Sequence, residues 1–226
     1  ATTRLYGVKT GDGATVKAVH ARRVGENIGG IDCGLDARIE NCIGEECLRH
    51  VIGCESGEIR RSYAYIQRDD SRTDYTGFVG YRNDVAGLGA TILFDGCGAD
   101  IGTSTKATNT AFYAHTSNGS SYGAITIRDC ASRNMRVLAA NTDVLVIERN
   151  RVLNGEIVGD HAAVNTIRDN WLTFDEVDFV AGNLGAITAL GQTGGGAGTA
   201  QVDGNRIYVN GRLPTSAYQV FDRGSG

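Results

Sequence analysis

The chain has 226 residues with 22 basic and 26 acidic side chains, a net charge of −4 that excludes the basic footprint of a nucleic-acid binder. Apolar residues at 41% and charged residues at 21% place it among globular rather than disordered chains, and no apolar run approaches the roughly 18 residues of a membrane span. Thirty-two Gly against a single Pro suit many tight bends joined by short strands.

Taken in chain order, seven segments share one form: an apolar residue, a charged residue, a third residue, then Asn, Cys or Ser. They are Ile39-Glu40-Asn41-Cys42, Ile59-Arg60-Arg61-Ser62, Phe94-Asp95-Gly96-Cys97, Ile127-Arg128-Asp129-Cys130, Ile147-Glu148-Arg149-Asn150, Ile167-Arg168-Asp169-Asn170 and Val202-Asp203-Gly204-Asn205. Their first residues are 20, 35, 33, 20, 20 and 35 positions apart. Val19-His20-Ala21-Arg22 reads as a poorer copy another 20 upstream. A fixed period of this size means one supersecondary unit per repeat, stacked as a solenoid. The longer intervals read as 20 plus an insertion of 13 to 15 residues.

Strands, not helices, fill the unit. Apolar residues alternate, as in Ile92 and Phe94, Ile125 and Ile127, Leu145 and Ile147, which is the period of a strand with one face in and one out. Eight coils at about 4.8 Å each would make a rod about 40 Å long. Two ladders follow. An inward one runs Cys42, Ser62, Cys97, Cys130, Asn150, Asn170, Asn205, with Asn bonding the backbone and its stacked neighbour. An outward one runs Glu40, Arg60, Asp95, Arg128, Glu148, Arg168, Asp203, alternating in sign at every step. The six cysteines, at 33, 42, 47, 54, 97 and 130, form no C-x-x-C pair and read as buried packing thiols, with no metal site expected. The stacked pair Cys97 and Cys130 would form a disulfide only if the strand geometry allowed it.

The stretches Val146-Ile147-Glu148-Arg149-Asn150-Arg151-Val152, Thr166-Ile167-Arg168-Asp169-Asn170-Trp171-Leu172 and Val202-Asp203-Gly204-Asn205-Arg206-Ile207 resemble the right-handed parallel β-helix repeats of the pectin-lyase-like superfamily. The resemblance covers about residues 16 to 212. It implies an all-β fold, a right-handed single-stranded parallel β-helix with coils of about 20 residues and inserted loops. The whole of 1–226 is expected to form one such domain. The chain opens on Ala1 with neither Met nor a leader, so a fragment or processed part of a longer protein is expected.

The resemblance also implies that the strand preceding each ladder strand lines a substrate groove. Those strands are predicted at Leu48–Gly53, Asp74–Gly80, Ala111–Thr116, Arg136–Ala140, Glu156–Asp160 and Glu176–Val180. Two consecutive long intervals put insertions side by side, where long loops on a rigid scaffold carry function. Asp70, Asp74, His115, Glu156 and Asp178 are the candidate catalytic residues: carboxylates for acid/base cleavage of a glycosidic bond, and an imidazole that titrates near neutral pH. Arg72, Tyr75, Arg82, Tyr113, Arg136, Asp160 and His161 are the candidate substrate-binding residues, since guanidinium, carboxylate and aromatic groups suit sugars. No cofactor is expected, although the acidic cluster admits a divalent cation such as calcium.

The function expected from the resemblance is polysaccharide binding, with or without cleavage by a lyase or glycoside hydrolase, as in a phage tailspike. The alternative is a non-catalytic structural or adhesive rod. The expected setting is extracellular or on a virion surface, and the partner a polysaccharide rather than nucleic acid or membrane; the oligomeric state is open, with a homotrimer as the tailspike-like option.

Overall fold

The computed structural model describes residues 7–22, 30–47, 50–66, 76–82, 89–100, 109–116, 122–174, 185–189, 198–210 and 219–222. Among them there is no helix, and the secondary structure is β-strand throughout. The chain turns through up to three strands per coil. The first three coils hold β1 (Val8–Lys9), β2 (Thr15–Lys17) and β3 (His20–Arg22); β4 (Ile31–Cys33), β5 (Ala37–Glu40) and β6 (Ile43–Glu45); β7 (His50–Cys54), β8 (Gly57–Arg60) and β9 (Tyr63–Tyr65). The fourth and fifth hold β10 (Thr76–Arg82), β11 (Thr91–Asp95) and β12 (Gly98–Asp100); β13 (Thr110–Thr116), β14 (Tyr122–Arg128) and β15 (Ala131–Arg133). Then come β16 (Arg136–Glu148) with β17 (Arg151–Leu153), and β18 (Ile157–Arg168) with β19 (Trp171–Phe174). The last are β20 (Gly185–Ala189), β21 (Thr199–Asp203) and β22 (Arg206–Val209), followed by β23 (Gln219–Asp222).

Like strands stack on like, always parallel, one coil apart. β1, β4, β7, β10 and β13 form a first ladder that continues into the front half of β16 and β18. β2, β5, β8, β11 and β14 form a second ladder that continues into their back half. Because β16 and β18 run unbroken through both, the two ladders are one curled 15-stranded sheet. The third strands form a separate 8-stranded sheet, β3-β6-β9-β12-β15-β17-β19-β22. Long parallel sheets curled in this way are compatible with a parallel β-helix.

The predicted register is the observed one. Ile39, Ile59, Phe94, Ile127, Ile147, Ile167 and Val202 pair in sequence across the second ladder, and so do the charged residues that follow them. The poorer first copy is corrected: Val16 and Lys17, not Val19 and His20, pair with Ile39 and Glu40. His20 belongs to the third sheet, opposite Ile43. The interval there is 23 residues rather than 20. The predicted first-ladder strand at 176–180 lies outside the described residues. Ile157 pairs with Ile187, so that coil's strand is β20.

The core sits between the sheets. Ile39, Ile59, Phe94, Ile127, Ile147 and Ile167 are fully buried, each worth roughly 1.5–3 kcal/mol relative to exposure. Phe78 and Phe112 stack at 5.1 Å between centroids, with Phe94 against both. All six cysteines are buried and free, as packing thiols should be, and the stacked pair Cys97 and Cys130 is not bridged. Burial pushes the Cys33, Cys42, Cys54 and Cys130 thiols up from their ordinary range.

The inward ladder closes each corner. Asn150 and Asn170 are buried, and each donates Nδ2 to the carbonyl of Ile127 or Ile147 in the coil before, at 2.9 Å. Each side-chain oxygen accepts the backbone N–H of the preceding slot: Asn150 Oδ1 from Cys130, Asn170 Oδ1 from Asn150, Asn205 Oδ1 from Asn170, at 2.9 to 3.0 Å. Cysteine substitutes because its thiol reaches the same carbonyl: Cys97 Sγ donates to Ile59 O at 3.3 Å. Asn170→Ala would leave the Asn150 N–H and the Ile147 carbonyl short of a partner, at about 1–3 kcal/mol for each group. It is expected to lower the urea midpoint more than Asn205→Ala, at the half-buried end of the column. Equal midpoints would contradict this account. A thiol reagent is expected to label none of the six cysteines before unfolding and all six after it, since all six are buried out of the reagent's reach.

Candidate functional site

Of the four exposed aromatic side chains among the described residues, Tyr81 lies on β10 and the third sheet carries the other three, Tyr63, Trp171 and Tyr208. Its strands are three or four residues long, so only two residues per strand face outward. One outward column runs Ile43, Tyr63, Gly98, Ala131, Arg151, Trp171, Arg206, and the next runs Glu45, Tyr65, Asp100, Arg133, Leu153, Thr173, Tyr208. Between Tyr63 and Trp171 the first column shrinks to Gly98 and Ala131. That dip is the floor of an open groove of about 510 Å³.

Each end of the groove has an aromatic platform. Tyr63 is 41% exposed and stacks on Tyr65 at 6.4 Å and 17°. A Cβ at Gly98 would come within 2.7 Å of the Tyr63 ring, so the glycine lets that ring lie where it does. Burial, with the negative charge of Asp100, pushes the Tyr63 hydroxyl up from its ordinary range. Trp171 is 44% exposed and stacks on Tyr208 at 5.0 Å and 26°. Its indole N–H donates to Thr173 Oγ1 at 3.1 Å, and the Arg206 guanidinium lies 5.9 Å from the ring centroid. Between the platforms, Asp100 and Arg133 form a loose ion pair at 3.8 Å, and Arg151 lines the groove beside them. Aromatic faces at both ends with polar groups between them suit a flat, hydroxyl-rich ligand.

The residues predicted from the sequence lie elsewhere. Asp70, Arg72, Asp74, Tyr75 and Asp178 fall outside the described residues, and so do the side chains of Arg82 and His115, whose backbones lie in β10 and β13. On the first ladder the structure does bring Tyr113 and Arg136 together. Burial raises the Tyr113 hydroxyl while the Arg136 charge lowers it, and Arg136 Nε donates to Thr110 Oγ1 at 3.1 Å. Glu156 is not on a solvated groove face as expected. It is fully buried at the corner before β18, where its carbonyl accepts the Val137 N–H at 2.8 Å. Asp160 and His161 pair with each other at 2.5 Å, at a corner where His161 has a φ of 50°. They stand two and three residues beyond the column of Tyr113, Leu138 and Val158. The described residues hold no group of three or more metal-ligating side chains, and no helix long and apolar enough to cross a membrane.

The outward face of the second ladder neutralises itself. Lys17 meets Glu40 at 3.1 Å, Asp95 receives Arg60 and Arg128 at 3.0 and 2.9 Å, and Glu148 receives Arg168 at 2.7 Å. Arg149 adds a contact to Glu148 at 2.7 Å and a two-bond contact to Asp129.

No protein-family model, curated protein or solved structure matches the chain.

Burial alone would raise the Glu148 carboxyl, but hydrogen bonds from Arg168 and Arg149 outweigh it and hold the group below its usual range. A carboxylate depressed in the folded state stabilises fully above its unfolded value, and that stability is lost as pH falls through the folded one. Glu148→Gln is therefore expected to lower stability near neutrality, by roughly 1.5–3 kcal/mol for hydrogen bonds to a charged group. It should also flatten the loss of stability on acidification, followed by urea midpoints at successive pH values. An unchanged acid slope would contradict the assignment.

Proposed function

We propose that the chain is a right-handed parallel β-helix that binds polysaccharide in the groove of its third sheet. The handedness rests on the strong preference of parallel crossovers for one hand. The observation that carries the binding reading is the pair of exposed platforms, Tyr63 and Trp171, held on one sheet with a small-residue floor between them. Sugars present an apolar face to an aromatic ring and hydroxyls to Asp, Arg and Thr. Among the described residues this groove holds one carboxylate, Asp100, whereas most glycoside hydrolases use two. Binding rather than cleavage is the activity proposed for this face. On this reading the chain works outside the cell or on a virion surface, where polymeric glycans are met.

A structural or adhesive rod is the second reading. The self-neutralising charges of the second ladder favour it, because they serve stacking rather than a ligand.

Trp171 is the sole tryptophan, so its emission reports on the groove directly. Titration with a panel of acidic and neutral polysaccharides is expected to shift that emission for at least one polymer. Tyr63→Ala and Trp171→Ala, the latter followed by calorimetry, should each weaken binding about tenfold, the loss of roughly 1.4 kcal/mol. If no polymer binds, the groove reading fails and the rod reading stands.

A further inference from the structure

The groove is positively charged on a negatively charged protein. Arg133 and Arg151 line it against Asp100 alone, and Arg206 stands against the Trp171 ring at its end, together an excess of two positive charges on a chain of net charge −4. On the second ladder and its corners arginines are paired: Arg60 and Arg128 with Asp95, Arg168 with Glu148, Arg149 with Asp129. Arg151 is different. Among the described residues no carboxylate pairs with it, and its strand neighbours in the column are Ala131 and Trp171. A guanidinium beside a mostly apolar floor offers a planar fork of donors that matches a carboxylate or sulfate.

The direction of the ligand follows from the columns. Tyr63, Gly98, Ala131, Arg151 and Trp171 come from five successive strands at one register position. The groove therefore runs along the stacking axis, and its platforms are four strand steps apart, about 19 Å at 4.8 Å per step. An extended glycan advances by close to one strand step per ring. One chain reaching both Tyr63 and Trp171 thus passes its penultimate ring over Arg151.

We propose that the groove takes an extended acidic glycan laid along the stack, with Arg151 meeting a carboxylate or sulfate near its Trp171 end. This rests on the reading that the groove binds glycan. The probes are galacturonate oligomers and dextran sulfate as the two acidic sources, with uncharged galactan and dextran of matched length. Wild type is expected to bind at least one acidic oligomer about tenfold more tightly than its uncharged counterpart, with the advantage shrinking as salt rises. Arg151→Gln should remove most of that advantage, weakening acidic binding more than uncharged binding, with the circular dichroism spectrum unchanged. Pentamers should bind more tightly than dimers, which reach one platform only. Equal binding of acidic and uncharged oligomers by both proteins would overturn the acidic assignment and leave the groove reading intact. Dimers binding as tightly as pentamers would overturn the axial path. Binding of no glycan at all would remove the groove reading, and this inference with it.

Discussion

Every coil must turn the same corner after its second strand, and the rest of the structure depends on that constraint. The residue at the corner adopts a left-handed conformation in all eight copies: Ala18, Asn41, Arg61, Gly96, Asp129, Arg149, Asp169 and Gly204, with φ between 47° and 63°. For a residue with a Cβ this conformation costs roughly 1–2 kcal/mol. Repeated up a stack, such a cost persists only if each corner recovers it. Where the inward side chain that follows is Asn, Cys or Ser, it does so, by bonding amide and carbonyl groups that the corner would otherwise leave unbonded.

The residue types at the corner show how the cost is met. Glycine meets it at Gly96 and Gly204, and at Gly204 a Cβ would come within 2.3 Å of Asp169 Oδ1. Asn41, Asp129 and Asp169 belong to the residue types that tolerate the conformation best. Arg61 and Arg149 do not, and both are tied to carboxylates: Arg61 to Glu40 in the coil before, Arg149 to Asp129 and Glu148. The strained corner and the neutralised outer column are therefore one system of contacts between neighbouring coils.

That system is why the fold was legible in the sequence and the candidate groove was not. Corner and ladder demand particular residues at fixed spacing, so Ile147-Glu148-Arg149-Asn150 announces its own repeat. The first copy was misplaced by three residues because Val19 fills the slot that Asn, Cys or Ser takes later, and Val16-Lys17-Ala18 lacks the polar mark. The groove residues stand one and three positions after the ladder slot: Tyr63 after Ser62, Trp171 after Asn170, Asp100 after Cys97. The same arithmetic would have aligned them. Nothing in the local sequence, however, marks Tyr, Gly, Ala, Arg and Trp as one surface, because a binding face needs no repeat. The carboxylates stand out in the sequence instead, yet Glu156, predicted to line a substrate groove, is buried at a corner.

The contrast between the two outer faces follows from the same physics. In a parallel stack, like positions lie about 4.8 Å apart, so a column of one charge repels itself and a column of alternating charge is held together. The second ladder alternates along its length. The third sheet departs from that rule: Ala131, Arg151, Trp171 and Arg206 follow one another without a carboxylate. Two arginines flank one indole there, and the cation–π contact of Arg206 with Trp171 is a weaker return than an ion pair would be. A stack that pairs charges where only stacking is at stake, and leaves them unpaired beside exposed aromatic rings, has separated its structural face from the one suited to a ligand.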